Sequence, residues 1–237
     1  SRFDFEKILY ANTVLISLYE LLFYFPAPII LALLLNEVRS SFYKKTIQTL
    51  TYIPHFISLV VICGIIVDFV KQDGIITGLV AALGGSDTNL LTRPELFRTI
   101  YVGSEIWQQI GWSSIIFLAA LTMVDAELYE AAMIDGASRW RRAWHITLPS
   151  IMPTIMVLLI LRIGRILNVG FEKIILLYNP TIYETADVIS TFVYRKGILN
   201  ASYSYASAVG LFNSTISCVL VVLANKVSKR LTDTSLW

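Results

Sequence analysis

Arg162 and Arg165 stand three residues apart inside an otherwise apolar stretch, and Glu20 and Glu105 lie in or at the edge of two others. An arginine at the centre of a bilayer costs about 2.5–3.5 kcal/mol on insertion scales, so a pair facing lipid is not expected. At i, i+3 the two share a helix face, directed at other helices or at a water-filled path. Two uses fit that placement. One is structural ion pairing, with Glu20 and Glu105 as candidate partners. The other is a row of cations along the path of an anionic solute such as a uronic-acid oligosaccharide. Asn168, one turn further along the stripe, can hydrogen-bond sugar hydroxyls. Tyr101, Trp107, Trp112, Phe171 and Tyr178 offer faces on which sugar rings stack, and an interfacial aromatic belt uses the same residue types. His55, after Pro54, is expected to bond to backbone. Glu20 is also the acid that a proton relay through Arg162 and Arg165 would need, the mark of a proton-coupled secondary transporter.

A second polar concentration runs from Asp125 to Pro149. Asp125, Glu127 and Glu130 suit the first turns of a helix, whose N-terminus carries partial positive charge. Leu128, Ala131 and Ala132 give that helix a small-residue face for close approach by another protein. Asp135-Gly136 supplies a turn, because glycine tolerates backbone angles other residues avoid. A second helix follows, with Ala137, Trp140 and Trp144 on one face and Arg139, Arg141 and Arg142 mostly elsewhere. Pro149 and Pro153 close the loop and open the next apolar stretch, where a missing N–H costs little. The plainer alternative is an amphipathic helix at the lipid headgroups, anchored by its two tryptophans and three arginines.

Catalytic chemistry finds no foothold. The chain has no His-Glu-x-x-His, no Gly-x-Ser-x-Gly, no paired intramembrane aspartates and no Gly-Lys-Ser/Thr phosphate loop. Its two histidines, His55 and His145, are too far apart in sequence for a zinc-ligand spacing. Cys63 and Cys218 sit in apolar blocks, where thiols behave as small hydrophobes. A net charge of +2 without a basic stripe sets nucleic-acid binding aside.

The elements that position these residues are helices in a membrane. Of 237 residues 56% are hydrophobic and 15% charged, against about 25% charged in a soluble domain. The apolar residues fall in blocks near the ~20 residues that a bilayer requires. Five spans are expected: about 12–35, kinked by Pro26 and Pro28, then 54–70, 100–124, 151–171 and 206–225. Turn residues at 72–74 and 84–87 separate the second from the third. Arg39, Lys44 and Lys45, then Arg139, Arg141 and Arg142, then Lys226, Lys229 and Arg230 assign alternate segments to the cytoplasm. The C-terminus is therefore expected inside and the N-terminus outside, with a leading span in front of Ser1. No repeat or soluble domain interrupts residues 1–237, which read as one all-α polytopic domain.

Glu130-Ala131-Ala132, then Gly136, then Ile146-x-Leu148-Pro149 fix seven positions within twenty residues. That spacing resembles the loop by which membrane subunits of ATP-binding-cassette importers dock onto their ATPases. The segments FPAPIILALLLNEV, YIPHFIS, GWSSIIFLAAL, LYEAAMIDGASRWRRAWHITLPS and YSYASAVGLFNS extend the likeness along the chain, to oligosaccharide and polysaccharide permeases related to the membrane subunits of the maltose transporter. Trp144 stands where many members carry Phe. The resemblance implies a type I importer fold of six spans in a bacterial-type cell membrane. It implies a second permease subunit, usually a different chain, two ATP-binding subunits that use ATP and Mg, and an extracytoplasmic solute-binding protein. This chain would bind no cofactor itself. Glu130, Ala131, Ala132, Asp135, Gly136, Ala137, Ile146, Leu148 and Pro149 would form the ATPase-coupling loop, with Glu130 paired to a basic residue of the ATPase groove and Gly136 permitting the sharp turn.

Overall fold

Pro26 lacks an N–H and its ring crowds the carbonyl four residues back, yet the first apolar stretch stays helical. Helices α1 (Arg2–Tyr19) and α2 (Pro26–Glu37) are joined by a π-turn, Glu20–Tyr24, in which the Phe25 N–H donates to the Glu20 carbonyl at 2.9 Å. The wider turn accommodates the proline and puts an irregularity at the place where a kink was expected, near the middle of a 30-residue apolar helix, Ile8–Glu37. This computed structural model describes residues 2–85, 87–232 and 235–236; Ser1, and Ser86 of the expected 84–87 turn, lie outside them.

The second expected span, 54–70, straddles a break. Helix α3 (Ser41–Tyr52) ends in a 3-10 turn, Ile53–Phe56, and α4 (Leu59–Val70) restarts behind Ser58, whose hydroxyl accepts from the Val61 N–H; α5 (Ile75–Ala82) follows. The arms Ser41–Phe56 and Leu59–Ala82 meet at 104°. Hydropathy reads the apolar run and is blind to a proline followed by a serine cap. Helix α6 (Pro94–Leu121) packs along α3, and Gly111 is what lets them meet, since a Cβ there would lie 2.2 Å from the Thr51 carbonyl oxygen. Both atoms belong to helix backbone, so neither yields cheaply. Gly111→Ala should therefore destabilise the detergent-solubilised protein by about 1–3 kcal/mol, seen as a lowered Tm. An unchanged Tm would contradict the close approach.

After α7 (Ala126–Ile134), α8 (Arg139–Arg142) runs through a π-turn, Ala143–Thr147, into α9 (Leu148–Ile163). The fourth span, expected to continue to Phe171, stops at Ile163; residues 164–170 form successive turns and extended backbone. Short helices α10 (Phe171–Leu177), α11 (Tyr183–Ala186) and α12 (Ile189–Tyr194) lead to α13 (Tyr203–Thr232), which packs on α9. All regular structure among the described residues is helical. Ile8–Glu37, Arg139–Ile163 and Tyr203–Arg230 are long and apolar enough to cross a membrane, and the bent pair makes a fourth. Helix α6, expected as a span, has the length at 28 residues but is not in that set.

The reason is visible in the packing. One apolar cluster joins Ile16, Ile62, Phe97, Tyr101 and Ile174, and another joins Ile29, Ala32, Phe117, Leu121, Ile151 and Ile155. The first helix and α6 contribute to both. Between their two contributions each turns polar: Ser17 and Glu20 on the first helix, Glu105, Gln108, Gln109 and Ser113 on α6. The helices thus hold a hydrophilic belt between two apolar layers.

Candidate functional site

The belt contains two interhelical ion pairs. Arg162, in the last turn of α9, donates from Nη2 to Glu20 Oε2 at 2.5 Å, and its guanidinium lies 5.0 Å from the Tyr24 ring centroid. Tyr24 in turn shares a 2.9 Å hydrogen bond with Ser113 of α6. Lys173 of α10, only 3% exposed, donates to Glu105 Oε2 at 2.8 Å. Of the partners expected for the arginines, Glu20 is taken by Arg162, while Glu105 is claimed by Lys173, which lies beyond the end of the expected fourth span. A signal was available: Lys173 is followed by the apolar run Ile174–Leu177, against which an unpaired ammonium would be costly.

Because α9 ends at Ile163, Arg165 and Asn168 occupy turns and not a continuing helix stripe. The Arg165 N–H donates to the Arg162 carbonyl and the Asn168 N–H to the Arg165 carbonyl. Irregular backbone between membrane helices is tolerated only where its polar groups are satisfied or line a wet cavity. Here Ser17 donates to the Ile166 carbonyl and Ser190 to that of Val169, at 3.2 Å. Arg165 is exposed, and among the described residues its side chain makes no ion pair.

Two cavities meet at the arginines. One of about 570 Å³ is polar, lined by Glu20, Glu105, Gln109, Asn168 and Glu172 among others; one of about 480 Å³ is apolar, lined by Tyr24, Trp112, Ile116, Leu158 and Leu161. Arg162 and Arg165 line both. Trp107, on α6 with Trp112, lines neither. His55 does not bond to backbone; its Nδ1 meets Gln109 Oε1 at 2.7 Å, and its ring stacks on Trp112 at 4.4 Å and 4°. Trp112 is therefore held as a rigid aromatic wall of the apolar cavity, a role its sequence context did not separate from that of Trp107.

The loop of residues 125–149 is built with equal care. Asp125 caps α7 by accepting from the Glu127 N–H at 2.9 Å. At the other end the Ala137 N–H reaches the Ala132 carbonyl and the Gly136 N–H reaches that of Met133, a Schellman closure with Gly136 at φ 71°. No atom lies near the place a Gly136 Cβ would take, so backbone sign and not crowding selects glycine. Glu130, Ala131, Asp135 and Gly136 are exposed, and Ala132 and Ala137 half-buried. Tyr129 bonds to Thr147 at 3.0 Å, tying α7 to the foot of α9, and Arg139 lies 3.9 Å from Glu37, which brings α8 to the foot of the first helix. Ile146 and Leu148 are half-buried in that foot, Pro149 exposed. Trp140 and Trp144 point outward from it.

Residues 24–233 match the model of the binding-protein-dependent transport system inner membrane component. The chain belongs to that family. This permease is 48% identical over 235 residues to Protein LplB of Bacillus subtilis (strain 168), covering 99% of the chain and 74% of the relative. It is 46% identical to the polygalacturonan/rhamnogalacturonan transport system permease protein YteP of the same organism, covering 97% and 72%. Among solved structures it is similar, at TM-score 0.92 and 49% identity, to a chain of a bacterial alginate ABC transporter in complex with alginate pentasaccharide-bound periplasmic protein, covering 97% of the permease and 80% of that chain. The permease is a multi-pass membrane protein, and its belt and its capped loop are the two features that a transport role has to use.

Proposed function

We propose that this permease forms one half of the membrane path of an ATP-driven importer of oligosaccharides that carry uronic acid residues. The observation that carries the acidic part is Arg165, a guanidinium without a carboxylate partner among the described residues, at the junction of the two cavities. Relatives named for polygalacturonan/rhamnogalacturonan and alginate support the same reading. Trp112 offers a sugar ring its face, while Asn168 and Gln109 offer hydrogen bonds. Glu105 serves by neutralising Lys173.

The loop supports the ATP-driven part. Helix α7 is short, exposed and closed at both ends, so it can enter a groove of a partner as a rigid peg and pass force to α9 and the first helix. In this reading Glu130 pairs with a basic residue of an ATP-binding subunit, which supplies both the ATP and the Mg site. The complete machine has a second permease subunit of different sequence, two ATP-binding subunits and an extracytoplasmic solute-binding protein, with the C-terminus of this chain on the ATPase side. A proton-coupled carrier would leave a doubly capped external helix without a task.

The test is purification of the tagged full-length protein from native membranes, with stoichiometric partners identified by mass spectrometry. A second permease and an ATP-binding subunit are expected to co-purify. Glu130→Arg should remove the ATP-binding subunit by placing like charges together, a penalty of about 2–5 kcal/mol for a desolvated pair, while the second permease is retained. A wild-type preparation with no ATPase, or a variant that keeps it in full, would refute the loop assignment.

A further inference from the structure

Arg162 is the only ion-paired side chain shared by both cavities among the described residues, so its pair with Glu20 sits where polar space gives way to apolar. The two partners are not equally accessible. The Arg162 side chain is 31% exposed and that of Glu20 10%, so the guanidinium is the more open partner of a pair that lines the polar cavity with both members. Glu20 also opens the one π-turn of its helix, where an extra residue per turn loosens the backbone register. Of the other charges around the polar cavity, Lys173 is neutralised by Glu105, Glu172 lies exposed at its edge, and Arg165 is open.

We propose that Glu20 is the exchangeable counter-ion of the path. A cargo carboxylate captured at Arg165 moves to Arg162 by displacing Glu20, and Glu20 re-forms its pair as the cargo leaves. This rests on the acidic-oligosaccharide reading above and adds a residue whose task is release. One carboxylate replaces another on the same guanidinium, so no proton is moved and Arg162 is never left unpaired. Glu20, once displaced, turns to the water of the polar cavity that it already lines. Without it, nothing competes for Arg162 and the cargo stays.

The experiment uses the complete transporter with its binding protein in proteoliposomes, with trigalacturonate and its carboxyl-reduced, neutral trisaccharide as probes. For Glu20→Gln both KM and kcat for the acid should fall by roughly tenfold, the ratio that ~1.4 kcal/mol of uncontested ion pairing gives, with the neutral probe unaffected. Glu20→Asp should restore both constants. Equal losses on the two probes, or an acid kcat that does not fall, would overturn the exchange. If Glu20→Gln prevents assembly, Arg162→Lys reads the same contact. An ammonium holds a carboxylate without the bidentate fork, so KM for the acid should rise and that for the neutral probe should not; parallel changes overturn the proposal. A wild-type transporter that imports neither probe, or only the neutral one, refutes the acidic reading itself. Import of the acid with unaltered Glu20→Gln kinetics refutes the exchange alone.

Discussion

Gly136→Val is expected to reduce ATP-driven uptake at least roughly tenfold while membrane insertion stays at the wild-type level. The glycine has φ 71° with open space around it. A side chain there meets no neighbour but forces a left-handed backbone, at roughly 1–2 kcal/mol for an L-residue and more for a β-branched one. The Schellman closure opens, α7 loses its fixed angle to α8, and ATP hydrolysis continues without moving the spans. Uptake and ATPase activity measured together in membrane vesicles decide the matter. Gly136→Asn, which tolerates the same region, should keep most of the coupling. Equal insertion with normal, coupled uptake in the valine variant would sink the role given to this turn.

Arg165→Gln should lower uptake of an acidic trisaccharide roughly 10- to 100-fold relative to its carboxyl-reduced counterpart. A charged hydrogen bond in a cavity is worth about 1.5–3 kcal/mol, and Arg165 has no carboxylate among the described residues to lose, so the change orphans no charge there. Protein stability is therefore expected to stay constant while selectivity collapses. A uniform loss on both sugars, or none, would show that the residue does not read charge.

How much of this was legible beforehand depends on the kind of signal. The loop was readable because its requirements are local: a cap at Asp125, a left-handed turn at Gly136 and a proline at 149 each announce themselves within a few residues. The apolar blocks were readable as membrane helices for the same reason. Breaks were not. Within residues 151–171 only Gly164, the C-cap, and Arg162 in the last turn hint that the helix ends at Ile163, while the hydroxyls that satisfy the open backbone, Ser17 and Ser190, lie far along the chain. The bend after Phe56 is half legible, since Pro54 and Ser58 are there to be seen, but hydropathy averages over them. Charge partners split the same way. Glu20 and Arg162 are each conspicuous in apolar surroundings, whereas Lys173 falls just past the expected fourth span, and Glu105 is paired with it and not with an arginine. Trp112 could not be told from Trp107 because only the stacking on His55 distinguishes them.

The open backbone at 164–170 also constrains how the protein is made. If the stretch 151–171 enters the bilayer as the one helix its apolar content suggests, every carbonyl is satisfied internally. Reaching the final form means unwinding its last two turns inside the membrane. That is tolerable only once other donors are in place: Ser17, already synthesised, and Ser190, not yet. The belt is thus expected to assemble late, once Ser190 has been synthesised. Loss of either hydroxyl would first be felt in biogenesis, as a chain trapped with an intact fourth helix and no cavity.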